Sequence, residues 1–105
     1  IYANSDKAKS RERVRLAIEN DLQNGKYFIF LANLYANSVQ DCGPDKEQIN
    51  GIYKLASTTV LKAGVVEPKL KDTADQLSKK YLSLMTNQKQ KSVQIDCWIN
   101  EAVQF

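Results

Sequence analysis

The two cysteines, Cys42 and Cys97, are the residues whose chemistry the sequence restricts most clearly. The chain has 105 residues and contains no histidine. A zinc site needs four ligands, most of them imidazole or thiolate, so two cysteines alone favour a disulfide over a metal site. We therefore expect a Cys42–Cys97 disulfide, an oxidising compartment, and neither a metal nor a cofactor. Two unrelated buried thiols are the alternative.

Side chains suited to catalysis are scarce in the rest of the sequence. Without histidine, the commonest general base and triad member is missing. The acidic pairs, such as Glu12 with Glu19 and Asp72 with Asp75, fall in polar stretches with helical spacing. Solvent-exposed ion pairs are the usual arrangement in such stretches. The four glycines are isolated and form no phosphate-binding loop. The sequence therefore predicts a binding protein and no enzyme.

The segment from Tyr27 to Tyr35 is apolar around most of a helix circumference. One stripe can serve a core, while Phe30 and Leu34 point elsewhere. A helix covered on all sides in the middle of a bundle would explain this pattern. The functional alternative is a hydrophobic groove that receives an amphipathic helix of a protein partner. The residues predicted to form this binding face are Phe30, Leu34, Ile52, Leu55, Ile99 and Val103.

Charge and hydropathy argue against nucleic acid and membrane as partners. The net charge is +3, and the densest basic cluster, from Lys7 to Arg15, has no aromatic residues between its cations. A nucleic-acid site would combine a basic face with aromatic stacking residues, so this cluster predicts a solvated helix face. The longest apolar run, Tyr27 to Ala32, is far shorter than the roughly 20 residues that cross a bilayer.

Helical spacing dominates the chain, and strand patterns are almost absent. The predicted elements are a flexible N-terminal tail over 1–9 and one helical domain over 10–105. Its helices cover about 10–41 with a break near Gly25, then 45–63 ending at Gly64, 69–86, and 92–104. Short connections between them predict an all-α, antiparallel four-helix bundle with one disulfide, in which 10–24 can form an N-terminal helical extension. Such a layout can bring Cys42 and Cys97 within disulfide distance.

Four short motifs resemble the pilotin lipoproteins of type II secretion, the PulS/OutS family of secretin chaperones. An apolar helix ends in a cysteine before a proline and an aspartate (36–45), and a second helix ends in Ala63-Gly64 before an apolar residue. A third helix covers 74–84, and the last segment begins Cys97-Trp98-Ile99-Asn100, which resembles a Cys-x-x-Asn opening.

The resemblance implies a periplasmic four-helix chaperone for a secretin, the outer-membrane channel of type II secretion. Its hydrophobic groove would bind the disordered C-terminal segment of a secretin subunit, fold it into a helix and help to target it to the outer membrane. The full-length lipoprotein would sit at the inner face of that membrane. The acylated N-terminal cysteine of the family is absent from these residues, so membrane attachment is expected only through a lipid anchor outside them.

A periplasmic immunity protein that inhibits a type VI secretion amidase effector is the alternative. Such proteins are also small, helical and disulfide-bearing, but their first cysteine tends to lie within a helix, which disfavours this alternative. An immunity protein would plug the cleft of the enzyme with an exposed loop. The loop candidates here are Val65 to Lys69 and Asn87 to Lys91.

Overall fold

The structure, a computed structural model, describes residues 2–42, 45–86 and 91–105, and the side chains of all of these except 2–5 and 41. The helices are α1 (Tyr2–Asn20), α2 (Lys26–Ala36), α3 (Val39–Cys42), α4 (Lys46–Val66) and α5 (Lys71–Ser83), with a 3-10 turn at Pro68–Leu70. Two antiparallel strands, β1 (Ser92–Ile95) and β2 (Glu101–Gln104), follow α5.

The predicted helical bundle with one disulfide is confirmed. The centre of the bundle is α4, which packs against α2 on one side and α5 on the other, while α1 packs on α2. The Cys42–Cys97 bridge is formed, with its Cα atoms 5.1 Å apart. The buried core draws on all the long helices and on the strands; its fully enclosed members include Ala32, Ile52, Ala56, Val60, Ala63, Ile95 and Ile99.

The opening helix is longer than the sequence predicted, because residues 2–9 belong to α1 and are not a tail outside the helix. Alanine and lysine in this segment favour helix, and an existing helix extends without a second nucleation cost. Lys7 Nζ also donates a hydrogen bond to the carbonyl oxygen of Asn37, at 3.1 Å. The break predicted near Gly25 lies between the end of α1 at Asn20 and the start of α2 at Lys26.

Gly64 does not end a helix as predicted, since α4 continues to Val66. A Cβ at this position would lie 2.8 Å from the Cα of Lys71, so the glycine allows the end of α4 to approach the start of α5. The predicted helix over 69–86 is divided into the 3-10 turn and α5, which ends at Ser83. Close packing, and not helix termination, therefore explains this glycine.

The predicted fourth helix over 92–104 is wrong, because these residues form the β1–β2 hairpin. Val93 pairs with Val103 and Ile95 with Glu101. Alternate residues face inward on both strands, and Asn100 adopts a left-handed conformation with φ of 46° in the connecting loop. Asparagine accepts that conformation more readily than most residues. Ile95, Ile99 and Val103 are four residues apart, which is why their spacing also fits a helix.

The hairpin lies against the central helix. Val93 sits over Gly51 of α4, where a Cβ would overlap the Cγ1 atom of the valine. Cys97 lies in the hairpin loop, and its disulfide attaches that loop to the end of α3. The chain end is therefore fixed both by packing on α4 and by a covalent bond.

Buried polar side chains align α4 with α5. The hydroxyl groups of Ser57 and Ser78 share a hydrogen bond of 2.6 Å. Asn50 accepts a hydrogen bond of 2.9 Å from the backbone N–H of Thr86 at its Oδ1 atom, and its Nδ2 atom donates to the threonine hydroxyl. These contacts satisfy polar groups that would be costly to bury unpaired, and they fix the end of α5 against α4.

Candidate functional site

An apolar groove lies on the surface between α1 and α2. The groove is open to solvent and has a volume of about 450 Å³. Its floor contains Val14, which is almost fully buried, and its outer wall contains Phe30, whose exposed fraction is 51%. The lining residues are Arg13, Val14, Ala17, Lys26, Tyr27 and Phe30. A large aromatic side chain that is half-exposed beside an apolar depression is typical of a surface that binds a protein partner.

The groove exists because α2 carries more apolar residues than one packing face requires. Leu31, Ala32 and Tyr35 turn toward the core and are buried. Phe30, on the other side of the helix, faces α1 and solvent. Among the α1 residues whose side chains are described, Val14 is the only buried apolar residue. A mostly polar helix covers the second apolar face of α2 incompletely, and the uncovered part forms the groove.

The groove carries a cation at two points of its rim. Arg13 contributes from α1, and Lys26 from the first turn of α2. Neither side chain has a hydrogen bond or an ion pair with any other described residue. None of the residues that line the groove is acidic. The groove is therefore apolar in its centre and positively charged at its edge.

A cluster around Arg11 holds α1 in place. The guanidinium group donates to the carbonyl oxygens of Ile99 at 2.6 Å and Trp98 at 3.1 Å, and lies 5.1 Å from the centre of the Trp98 ring. It also forms an ion pair with Glu101 at 3.4 Å. Only 11% of the Arg11 side chain is exposed. The groove wall formed by α1 is thus fixed to the hairpin loop by charge-assisted hydrogen bonds and a cation–π contact.

Glu101 and Trp98 extend this cluster to α2. Glu101 also accepts from Arg15 at 3.3 Å and from the Tyr35 hydroxyl at 3.1 Å. Tyr35 stacks on Trp98 with ring centroids 5.8 Å apart, and Trp98 Nε1 donates to Ser38 Oγ at 3.1 Å. Burial, reinforced by the carboxylate of Glu101, raises the pKa of the Tyr35 hydroxyl. The phenol therefore remains a protonated donor to Glu101 at neutral pH.

A second, polar depression adjoins the groove at the turn between α1 and α2. Its volume is also about 450 Å³, and Lys26 borders both cavities. Glu67 accepts a hydrogen bond of 2.9 Å from the backbone N–H of Gly25 and pairs with Lys69 at 3.1 Å. The Gly25 N–H, with help from Lys69, lowers the pKa of Glu67. In this depression Glu67 is paired with Lys69, Asp21 accepts a hydrogen bond from Asn24, and Lys26 has no ion pair with a described residue. The depression is lined by Asp21, Gln23, Asn24, Lys26, Glu67 and Lys69.

The six residues predicted to form a binding face do not lie together on the surface. Phe30 lies in the groove, while Leu34 and Leu55 are half-buried and pack against the core. Ile52, Ile99 and Val103 are buried core residues, so their assignment to an exposed face is wrong. The reason is the central position of α4 and the inward-facing side of the hairpin.

Sequence reasoning missed Val14, Ala17 and Tyr27 as groove residues. A signal for the first was present, because Val14 and Ile18 form an apolar stripe in an otherwise charged segment. The stripe lies in the predicted N-terminal extension over 10–24, and the sequence alone does not show that it packs beside α2. Val14 is in fact the residue that closes the groove floor, and Ile18 packs against the core.

Of the two loops predicted to block an enzyme, the structure describes the first, Val65 to Lys69. In the first, Val65 has an exposed fraction of 78% at the last turn of α4, and Pro68 begins the 3-10 turn. In the second, residues 87–90 lie outside the described residues. The first loop therefore presents an exposed apolar corner, bordered by the salt bridge between Glu67 and Lys69.

The described residues contain neither a membrane-spanning helix nor a cluster of metal ligands. No helix among them is long and apolar enough to span a bilayer. Within the same residues, no group of three or more acidic or cysteine side chains is placed to hold a metal ion.

Comparison with known proteins gave no match. No protein-family model, no curated protein and no solved structure is similar to this chain at a significant level.

Proposed function

We propose that this protein binds an amphipathic helical segment of a protein partner in the groove between α1 and α2. The observation that carries the proposal is Phe30, half-exposed on the wall of a groove whose other apolar lining residues are Val14, Ala17 and Tyr27. Helix-in-groove recognition uses a few apolar anchors spaced along one face of a peptide. The partner helix would cover the part of the apolar face of α2 that α1 leaves exposed.

The scaffold around the groove suits such a role. The Arg11 cluster fixes α1 to the hairpin loop, and the Cys42–Cys97 bond fixes that loop to α3. A groove wall held in place reduces the ordering cost of binding, so more of the contact energy is available as affinity. An extracytoplasmic setting is consistent with the disulfide.

In its specific form, the proposal is that of a periplasmic pilotin. The partner would be the C-terminal segment of an outer-membrane secretin subunit, which the protein would accompany to the outer membrane. The disulfide and the strongly apolar helix before it support this form. The hairpin replaces the fourth helix of the architecture that the resemblance implied. We therefore place the proposed binding site in the groove between α1 and α2.

A peptide-binding experiment tests the proposal. The probes are the C-terminal segment of the secretin from the same genome and a synthetic amphipathic peptide of about 14 residues, a length at which isolated helices are marginal in water. We expect a gain of helical circular dichroism on mixing and a dissociation constant measurable by calorimetry. Absence of both signals for both peptides would refute the proposed function. Helix gain with the synthetic peptide alone would refute only its secretin form.

Substitution of Phe30 assigns the binding to the groove. A Phe30→Ala variant should bind at least about tenfold more weakly, since truncation of a central aromatic anchor commonly costs 2 kcal/mol or more. Val65→Ala, at an exposed apolar position outside the groove, is the matched control and should bind as wild type does. Equal affinity of the Phe30 variant and wild type would place the binding site elsewhere.

The immunity-protein alternative has one feature in its favour, the exposed apolar corner at Val65. In that case the protein should inhibit a peptidoglycan amidase in a zymogram. Val65→Ala and Lys69→Ala should abolish the inhibition, and Phe30→Ala should not. The two proposals therefore predict opposite effects for the same variants.

A further inference from the structure

We infer that the segment bound in the groove is acidic as well as apolar, with carboxylates on both sides of its apolar face. This inference rests on the proposed function and adds the charge of the partner to it. It follows from Arg13 and Lys26, the two cations at the groove rim.

The first support comes from the pairing of the cations on α1. Arg11 and Arg15 both form ion pairs with Glu101, and Arg15 also lies 3.8 Å from Glu12. Arg13 stands between them in sequence and has no such pairing with a described residue. Residues two apart on a helix do not share a face, so Arg13 points to the groove while Arg11 and Arg15 reach the hairpin.

The second support is the position of the nearby carboxylates, which form no ion pair with either rim cation. Glu67 accepts a hydrogen bond from the Gly25 N–H and pairs with Lys69, whereas the charge of Lys26 helps to lower its pKa without forming an ion pair with it. Asp21 accepts a hydrogen bond from Asn24 in the adjoining depression. Neither carboxylate lines the groove itself. A partner carboxylate would thus meet two cations without displacing an existing ion pair.

The chemistry of the two cations suggests how selection would occur. Apolar contact with Phe30 and Tyr27 would supply affinity, and the rim charges would supply specificity and faster association. The guanidinium of Arg13 can receive a carboxylate with two parallel hydrogen bonds, while Lys26 acts as a point charge. A basic segment would place like charges opposite both positions and would be rejected.

A protein segment fits this surface better than an acyl chain does. Sites for small apolar ligands enclose most of the ligand surface. Here Phe30 is half-exposed on the wall, and the groove is open to solvent between two helices. An amphipathic helix needs cover on only one of its faces, which this shape provides.

Three synthetic peptides with one apolar face test the inference. They differ only at the positions that flank this face, which carry glutamate, glutamine or lysine. At low salt the glutamate peptide should bind roughly tenfold more tightly than the glutamine peptide, since each exposed ion pair contributes a few-fold in affinity. The lysine peptide should bind most weakly. The differences should shrink at about 0.5 M salt, where charges are screened.

Charge reversal provides the matched control. An Arg13→Glu/Lys26→Glu variant should reverse the order and prefer the lysine peptide. A Lys62→Glu/Lys79→Glu variant changes the net charge equally at exposed positions outside the groove, and it should keep the wild-type order. Reversal in the first variant alone would support the inference.

Other outcomes would overturn it in distinguishable ways. Equal affinity for the glutamate and glutamine peptides would refute the acidic partner and leave the proposed function intact. No binding of any peptide would refute both. Tighter binding of dodecanoate than of the glutamate peptide, with displacement of that peptide, would identify an anionic amphiphile as the ligand. A protein dimer that Phe30→Ala dissociates would identify a second copy as the occupant.

Discussion

Arg11 and Arg13 stand two positions apart on α1 and serve different purposes. Arg11 is almost fully buried and donates to the backbone carbonyls of Trp98 and Ile99. Arg13 is exposed and lies at the groove rim. The helical repeat explains the division, because a step of two residues turns a side chain to the other side of the helix. One arginine therefore stabilises the site, and the other is available to a partner.

The first prediction concerns Arg11. An Arg11→Met variant leaves the carbonyls of Trp98 and Ile99 without their donor and removes the cation–π contact. We expect the free energy of unfolding in urea to fall by about 1.5 to 3 kcal/mol, the range for hydrogen bonds to a charged group. Arg13→Met should change it by no more than about 0.5 kcal/mol, as is usual for exposed positions. Equal stability of the two variants would contradict the assigned role of Arg11.

The second prediction concerns the pH dependence of stability through Glu67. The pKa of this carboxyl is lowered below its ordinary value of 4.5, chiefly by the Gly25 N–H. Its ionised form therefore stabilises the fold above the unfolded pKa, and this contribution is lost as the pH falls through the folded pKa. A Glu67→Gln variant should show a shallower loss of stability between about pH 5 and about pH 3.

Urea unfolding across that pH range measures the effect of Glu67. Glu19→Gln, at an exposed position on α1, controls for the loss of one negative charge. A steeper acid loss in the Glu67 variant than in wild type would show that its carboxylate does not favour the fold. The same variant also tests the turn between α1 and α2, because Glu67 accepts a hydrogen bond from the backbone N–H of Gly25, the N-cap residue of α2.

At the scale of the elements, the close approach of α4 and α5 gives the third prediction. Alanine favours a helix over glycine by about 1 kcal/mol, so Gly64→Ala would stabilise an isolated α4. Here the added Cβ would lie 2.8 Å from the Cα of Lys71, which must move. We expect a net loss of about 1 to 2 kcal/mol in unfolding free energy, as for other overpacked sites. Lys62→Ala, exposed on the same helix, is the control, and a stabilised Gly64 variant would refute the close contact.

The elements also show how much of the fold the sequence determines. The break near Gly25, the long central helix and the disulfide follow from local signals that tertiary contacts do not override. The hairpin does not, because the four-residue spacing of Ile95, Ile99 and Val103 fits a helix as well. Its distinguishing signals are the alternation within each strand and Asn100, whose left-handed conformation suits a turn.

The candidate site was predictable only in part, for a related reason. The excess of apolar residues on α2 is local, and it correctly indicated that Phe30 lies outside the core. How much of that face stays uncovered depends on how α1 packs. The position of α1 is set by contacts with residues near the other end of the chain, such as Ile99. Sequence patterns do not reveal such long-range contacts, which is why the prediction placed Ile52, a buried core residue, on an exposed face.

At the scale of the whole molecule, the two ends of the chain support the site together. The opening helix provides one wall of the groove, and the closing hairpin holds that helix through Arg11. The hairpin loop is attached to α3 by the disulfide. A two-stranded hairpin alone is marginally stable in water, so its packing on α4 and this covalent bond are needed to keep the support rigid.

The fourth prediction follows from that dependence. The disulfide joins residues 55 positions apart, and a closed loop of that length stabilises the fold by about 4 kcal/mol in the chain-entropy description. This is a large share of the roughly 5 to 15 kcal/mol typical of small domains. A Cys42→Ala/Cys97→Ala variant should therefore lose about 4 kcal/mol of unfolding free energy. Reduced wild-type protein is the matched control and should show the same loss.

Peptide binding adds a second readout to the disulfide prediction. Cys97 directly precedes Trp98, whose carbonyl receives Arg11, so loss of the bond should loosen the α1 wall. The variant should then bind the groove peptide more weakly even where it is still folded, because the wall must be ordered on binding. Unchanged affinity with reduced stability would show that the bond supports the fold without supporting the groove. Two free thiols in the unreduced wild-type protein, counted in urea, would contradict the disulfide itself.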